Sequence, residues 1–327
     1  MPYTYKDAGV DVNKVRKIQS KFARLLASTF NDKVISGFGH YAGLYAINDD
    51  VIALHTDGVG TKTLIAQMLN KFDTIGIDCI AMNANDIICT GAKPLAFVDY
   101  IALRKPDDIL VKEIMKGLVK GAKEADVAII GGETAVMPDL IVGKDQAFDL
   151  AGSMIGITKR DRLILGNAIK EGDIIIGLES NGLHSNGYTL ARKVLLKHYK
   201  LDDKIKELRT TLGKELLKPT RIYVKQVLDI IDKHEIHGLA HITGGAFSKL
   251  NRLGNYKFVI DNMPKPKPIF RLIQEHAGLD DKEMFNTFNM GIGFCIISKE
   301  KIKGLKNAHI IGRIEKGKGV YIHDIRL

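Results

Sequence analysis

The chain has 327 residues and a net charge of +10; that is room for two domains, since single cores stop growing at roughly 250–300 residues. No segment approaches the roughly twenty apolar residues of a membrane span, and the opening Met1-Pro2-Tyr3-Thr4-Tyr5-Lys6-Asp7 has no apolar signal core, so a cytoplasmic protein with no membrane partner is expected. The lysines are scattered among acids on presumed helix faces (Lys14, Lys17, Lys21; Lys112, Lys116, Lys120) without aromatic interleaving, which argues against nucleic acid and for polyanionic small substrates.

In chain order, Val15, Ile18, Phe22, Leu25 and Leu26 recur at helical spacing behind Asp11, predicting a capped amphipathic helix over 12–28. Gly37-Phe38-Gly39-His40-Tyr41-Ala42 spells the loose dinucleotide form, with Asp57 about twenty residues on, as that fingerprint asks. The context fails. Residues 44–47 and 51–54 read as two strands joined by the turn Asn48-Asp49-Asp50, so no helix opens after the glycines and a Rossmann site is excluded.

Residues 56–62, Thr-Asp-Gly-Val-Gly-Thr-Lys, follow an apolar run and precede the amphipathic stretch Leu64, Ile65, Met68, Leu69, the strand–loop–helix setting in which phosphates are bound. This is not a P-loop, because Thr61 stands where the second glycine belongs. Residues 74–89 read as a mostly buried helix containing Asp78, Asn85 and Asp86, polar groups that are costly there unless paired or bound to an ion. After an expected strand over 94–103 and helix over 109–122, a strand over 127–130 ends in Gly131-Gly132-Glu133. Cys79, Cys89 and Cys295 sit in apolar neighbourhoods without metal-ligand spacing and read as reduced core residues.

Asp-Gly is also the commonest turn dipeptide and Asn-Asp a common cap, so each acidic segment alone reads equally as turn chemistry. Their company decides. Mg²⁺ takes oxygen ligands from one or two carboxylates and fills its shell with water and substrate phosphates, which suits Asp57, Asp86 and Glu133 at loop edges. Gly58, Gly60 and Gly132 let backbone N–H groups approach the phosphates, and Lys62 sits where its ammonium reaches a phosphate oxygen.

A strand over 148–158 closes the first half. The charged run Lys159-Arg160-Asp161-Arg162 marks the boundary between domains at 1–158 and 159–327. The second half has a strand over 173–178, the loop Ser180-Asn181-Gly182-Leu183-His184-Ser185-Asn186-Gly187 and a helix over 188–198, a credible anion cradle that is also ordinary turn chemistry. There follow a lysine-rich connector with Pro219, a helix over 221–233 and a second glycine loop, His237 to Gly245. A proline-bearing surface connection over 262–268 leads to strand-sized alternations at 293–297, 310–314 and 320–325. Both halves are mixed α/β.

Nine segments in one order carry a resemblance: YKDAGVD (5–11), TDGVGTK (56–62), DTIGID (73–78), MNAND (82–86), GGETAVMP (131–138), HSNGY (184–188), PTRIYVK (219–225), AHITGGAF (240–247) and TFNMGIGF (287–294). Together they resemble the phosphoribosylformylglycinamidine cyclo-ligase (aminoimidazole ribonucleotide synthetase) family nearly end to end. The resemblance implies two mixed α/β domains of the AIR-synthase-like ATPase superfamily, paired through first-domain sheets into a homodimer. It implies an ATP- and Mg²⁺-dependent ligase of purine biosynthesis that phosphorylates the formyl oxygen of formylglycinamidine ribonucleotide, after which the ribose-bearing nitrogen closes the imidazole.

Carried over by position, Asp57, Asp86 and Glu133 resemble the metal carboxylates, with Gly58, Gly60, Lys62, Asn85 and Gly132 about the nucleotide. Ser185, Asn186, Thr243, Gly244 and Gly245 resemble the substrate-side loops, and His184 a residue that polarises or deprotonates at the reacting centre. The chain departs from the family pattern at His40 and Tyr41, where bacterial relatives tend to have small or apolar residues, and at Ala246, where the glycine run expects a third glycine. Other superfamily ATPases are the nearest rivals. Selenophosphate synthetase would want a reactive N-terminal cysteine, and no cysteine precedes Cys79. Thiamine-phosphate kinase would lack the HSNGY and PTRIYVK agreement.

Overall fold

The structure, a computed structural model, describes residues 2–36 and 39–327, so the first two residues of the GFGHYAG segment, Gly37 and Phe38, lie outside the described residues. The chain begins with α1 (Val12–Ala27), where Asp11 accepts from Lys14 N as the expected cap. A hairpin follows, β2 (Gly43–Ile47) against β3 (Asp50–Gly58), flanked by the short β1 (Val34–Ser36), and the turn sets Asn48 at φ 55°. Next come α2 (Lys62–Leu69), α3 (Ile75–Ile88), β4 (Lys93–Leu103), α4 (Asp108–Ala125), β5 (Ala128–Val136) and β6 (Phe148–Lys159). The six strands form one sheet in the order β1-β2-β3-β6-β4-β5, antiparallel except for the β4–β5 pair.

Helix α3 is buried along its whole length because it is covered twice. One side lies on the sheet and α4, and the other meets the second half of the chain. The α3–α4 contact is backbone to backbone. A Cβ on Gly76 would stand 2.1 Å from Leu118 N and one on Gly117 2.7 Å from Asp73 O, so any side chain there pushes the helices apart.

The second half holds β7 (Ile174–Glu179), α5 (Tyr188–Leu195), the small pair β8 (Lys204–Ile205) and β9 (Thr210–Thr211), α6 (Leu212–Leu216), α7 (Val224–Ile231) and β10 (Ile236–His241). Then come a 3₁₀ segment (Ala246–Leu253), β11 (Lys257–Ile260), α8 (Pro268–Ala277), α9 (Asp281–Thr287), β12 (Ile292–Ser298), β13 (Ala308–Glu315), β14 (Gly319–Ile322) and β15 (Ile325–Arg326). Its larger sheet runs β10-β12-β7-β13-β11-β14-β15.

Three elements differ from the sequence reading. Strand β5 does not end at Gly131-Gly132-Glu133 but runs through it to Val136, because its parallel ladder with β4 continues to Leu103. Residues 237–241, read as part of a glycine loop, belong to the wholly buried β10 (Ile236–His241), whose histidines find buried acceptors. Pro268, read as the end of a connection, opens α8 at a position where its missing N–H costs nothing.

Candidate functional site

Alternation along β3 puts His55 and Asp57 on the sheet face that α3 covers. There Asn83 donates from Nδ2 to the carbonyls of Asp57 at 3.2 Å and Cys79 at 2.9 Å, which leaves its Oδ1 to accept from His55 Nδ1 at 3.1 Å. His55 Nε2 lies 3.2 Å from Asp86 Oδ2. Both ring nitrogens thus face acceptors, an arrangement that favours the charged form of His55. Burial works against that charge, but Asp86 above all, with Asp57 and Asn83, outweighs it and lifts the pKa above the ordinary 6.5.

Asp86 Oδ1 accepts from His241 Nδ1 at 2.6 Å. The other nitrogen of that ring faces Asn85 Nδ2 at 3.3 Å, a donor fixed in orientation by the Arg221 carbonyl and the Tyr223 N–H, so His241 is neutral and burial pushes its pKa down. Lys249, itself buried, brings its ammonium to 4.0 Å from Asp86 Oδ2. Burial alone would raise Asp86, yet Lys249, His241 and His55 hold it well below the usual carboxylate range.

Asp57 behaves oppositely. Burial, then the charge of Asp86, raise its pKa, and its Oδ1 accepts only a 2.8 Å bond from Gly58 N. Two carboxylates that repel each other at the ends of β3 and α3 form a donor pair that a divalent cation would relieve, so these residues fit Mg²⁺.

Glu133 does not join them within one chain. The register runs Asp57–Gly152–Asp99–Gly132 across β3, β6, β4 and β5, which puts Glu133 on the opposite face. It is also three strand spacings from β3, about 14 Å. Among the described residues no group of three or more His, Cys, Asp or Glu side chains is placed to hold a metal ion. Gly132 likewise makes room for Asp99 rather than for a phosphate, since a Cβ there would come 2.3 Å from Asp99 Oδ1.

Lys62 is a second correction. Its ammonium is buried and pairs with Asp78 at 2.9 and 2.8 Å, donates to the Lys218 carbonyl at 2.6 Å, and lies over the Tyr188 ring. Nothing of it faces the carboxylate pair. Asn85 is also structural here, its three hydrogen-bonding contacts all going to the second half of the chain. His184 stands in the left-handed region at φ 62° with its ring buried, and Nε2 accepts from Asn181 N at 3.1 Å. Burial drives its pKa well below 6.5, so it is a neutral residue that holds its loop and not a base open to substrate.

The two second-half loops do meet. Asn186 Oδ1 lies 3.1 Å from where a Cβ on Gly244 would stand, Ser185 bonds the Thr220 hydroxyl at 2.9 Å, and Gly245 takes φ 83° to start the 3₁₀ segment, whose Lys249 donates to the Thr243 hydroxyl. At Gly60 (φ 68°), among the described residues and apart from its chain neighbours, no atom lies within 4 Å of the Cβ position, so the backbone between β3 and α2 is open to an approaching group.

Two family models cover most of the chain: the AIR synthase related protein N-terminal domain matches residues 39–158 and the C-terminal domain residues 170–325. The chain is 48% identical to a protein of Saccharolobus solfataricus named phosphoribosylformylglycinamidine cyclo-ligase, covering 97% of this chain and 95% of that one. A protein of the same name from Methanocaldococcus jannaschii is 49% identical over 95% and 92% of the two chains. This chain belongs to the phosphoribosylformylglycinamidine cyclo-ligase family. Its fold is shared more widely. A structure of AaThiL complexed with AMPPCP and TMP superposes with a TM-score of 0.67 at 17% identity over 94% of each chain. A hydrogenase maturation protein, HypE of E. coli, gives 0.60 at 17% identity over 95% and 96%.

Against the cyclo-ligase pattern, the departure at His40 and Tyr41 has a place in the site. Tyr41 is buried and its hydroxyl donates to the Lys249 carbonyl at 3.2 Å, while its ring lies under the Lys249 ammonium and the Arg252 guanidinium. Burial, then the nearby Arg252, push His40 down to about 4, so it is neutral. Sequence reasoning missed His55, Asn83, His241 and Lys249. The signal for His55 was available, because a residue two before Asp57 on a strand shares its face. For Lys249 no local pattern gave notice.

Proposed function

We propose that the chain is an ATP- and Mg²⁺-dependent cyclo-ligase that converts formylglycinamidine ribonucleotide to aminoimidazole ribonucleotide in purine biosynthesis. The observation that carries this reading is near-complete mutual coverage at 48% identity with a relative named for that activity. The γ-phosphoryl group passes to the formyl oxygen and ADP leaves. The ribose-bearing nitrogen then attacks the same carbon, a C–N bond forms, the C–O bond to phosphate breaks, and the nitrogen loses a proton. Such chemistry asks a protein mainly for positioning and charge neutralisation.

Asp57 and Asp86 are the residues that would hold Mg²⁺, which when bound neutralises charge on the phosphate oxygens. Gly58 and Gly60 would lie on the nucleotide side, where the backbone at Gly60 is open, and Ser185, Asn186, Thr243, Gly244 and Gly245 would form the substrate side, across a division between domains at residues 158 and 159. A homodimer through the first sheet is supported by the face turned away from α3, where Leu54, Val98, Tyr100 and Ile130 are exposed. Glu133 shares that face.

The test is ADP release by the purified protein with ATP and Mg²⁺, with and without formylglycinamidine ribonucleotide, scoring the aminoimidazole by diazo coupling. One product per ADP establishes the reaction. Nucleotide binding without imidazole would overturn the substrate assignment.

A further inference from the structure

We infer that Lys249, not Lys62, is the lysine that contacts the transferred phosphoryl group, a role that rests on the ATP-dependent reading above. The two buried ammonium groups differ in what holds them. Lys62 is fully committed, to both oxygens of Asp78 and to a carbonyl. Among the described residues Lys249 makes one hydrogen bond, to the Thr243 hydroxyl, and its carboxylate partner stands off at 4.0 Å, so of three N–H donors two remain for a ligand.

Position agrees with the chemistry. Lys249 is on the 3₁₀ segment that starts from Gly244 and Gly245, and it reaches across to Asp86 and Tyr41 in the first half of the chain. Its ammonium therefore stands between the carboxylate pair that would hold a nucleotide-bound metal and the loop that would hold the substrate. At the same junction the Asn186 side chain lies with its Oδ1 beside Gly244, and among the described residues its buried amide nitrogen has no hydrogen-bond partner. Leftover donors on two loops that meet, one of them cationic and desolvated, suit an anion in transfer. Tyr41, under the Lys249 ammonium with its hydroxyl on the Lys249 carbonyl, fixes both ends of that residue and gives the departure at residue 41 a purpose.

The experiment compares AMPPCP and ADP binding by titration calorimetry in Mg²⁺, with kcat measured alongside, for the wild type, Lys249→Met and Lys249→Gln. Removing a charge-assisted donor aimed at the third phosphate weakens AMPPCP roughly 10- to 100-fold and leaves ADP within about threefold. kcat falls about 10²- to 10³-fold, as on loss of one preorganised donor. Lys249→Gln keeps the Thr243 bond and most of the volume, so it reports on charge if Lys249→Met folds poorly. An unchanged ratio of AMPPCP to ADP affinity with kcat near wild type overturns the assignment. Equal loss of both nucleotides with a lowered melting point overturns it too, in favour of a purely structural lysine. If the wild type makes no imidazole yet Lys249→Met loses the third-phosphate discrimination, the substrate reading falls and the role of Lys249 stands.

Discussion

Replacing Lys62 separates a structural lysine from a phosphate-binding one. Its ion pair with Asp78 is buried on both sides, and Asp78 also accepts from Thr220 N and Oγ1, each at 2.7 Å. Lys62→Met leaves a buried carboxylate that keeps those two donors. Asp78→Leu leaves a buried ammonium with only the Lys218 carbonyl and the Tyr188 ring. Deleting one partner of a buried pair costs about 3–5 kcal/mol, and the retained Thr220 donors put Lys62→Met near the lower figure and Asp78→Leu near the upper. For domains of this size that is a fall of roughly 6–20 °C in melting temperature. The double variant recovers part of the loss, because two apolar side chains leave no unpaired charge. Urea unfolding followed by circular dichroism gives the stabilities, and ATP turnover well below the transition gives the activity of the folded fraction. A Lys62→Met protein that unfolds like wild type but has lost about a hundredfold in kcat would refute the pairing argument and return Lys62 to the phosphates.

Asp57→Asn, at the member of the carboxylate pair whose pKa burial raises, loses ADP release while its melting curve stays within a few degrees of wild type; normal turnover would dismiss the pair as a metal site. Asn85→Ala strands the Tyr223 N–H and the Arg221 carbonyl, about 1–3 kcal/mol for each buried group, read from the urea midpoint. If the first sheet pairs two copies as proposed, Ile130→Asp, on its exposed outer face, leaves only monomer by sedimentation velocity where the wild type sediments as a dimer. The pH dependence follows from three histidines with opposite signs. His184 and His241 have folded pKa values below 6.5, so the unfolded chain binds their protons first, and their stabilisation is full above about 6.5 and lost as pH falls. His55, raised, contributes fully below about 6.5 and loses its share as pH climbs through its folded value. The urea midpoint therefore drops from pH 7 to 5, and less steeply in His184→Asn, whose side chain tolerates the left-handed backbone.

The strand–loop–helix at residues 56–62, the hairpin before it and the buried helix after it were legible because each is set by local periodicity and turn chemistry. The course of β5 was not. Gly131-Gly132 reads as a stop, yet the parallel ladder with β4 carries the strand past it, a tertiary effect that local propensity does not contain. Lys62 failed for a similar reason: a lysine after a glycine loop is shaped for phosphate until a buried Asp78 stands within 3 Å of it.

Helix α3 shows how far the sequence alone can be pushed. Its polar residues demand partners, and structure supplies every one from the same chain, but two kinds of work are divided by angle. Asp78 and Asn85 are seven residues apart, nearly two full turns at 100° per residue, so both face one way, and both bond the 220–223 segment of the second half. Asp86 lies a further 100° round, where it meets His55 and the β3 end, with Asn83 beside it. Heptad spacing thus marks the pair that bonds the 220–223 segment, and Asp86, off that stripe, bonds His241 of the second half while also meeting His55 on β3.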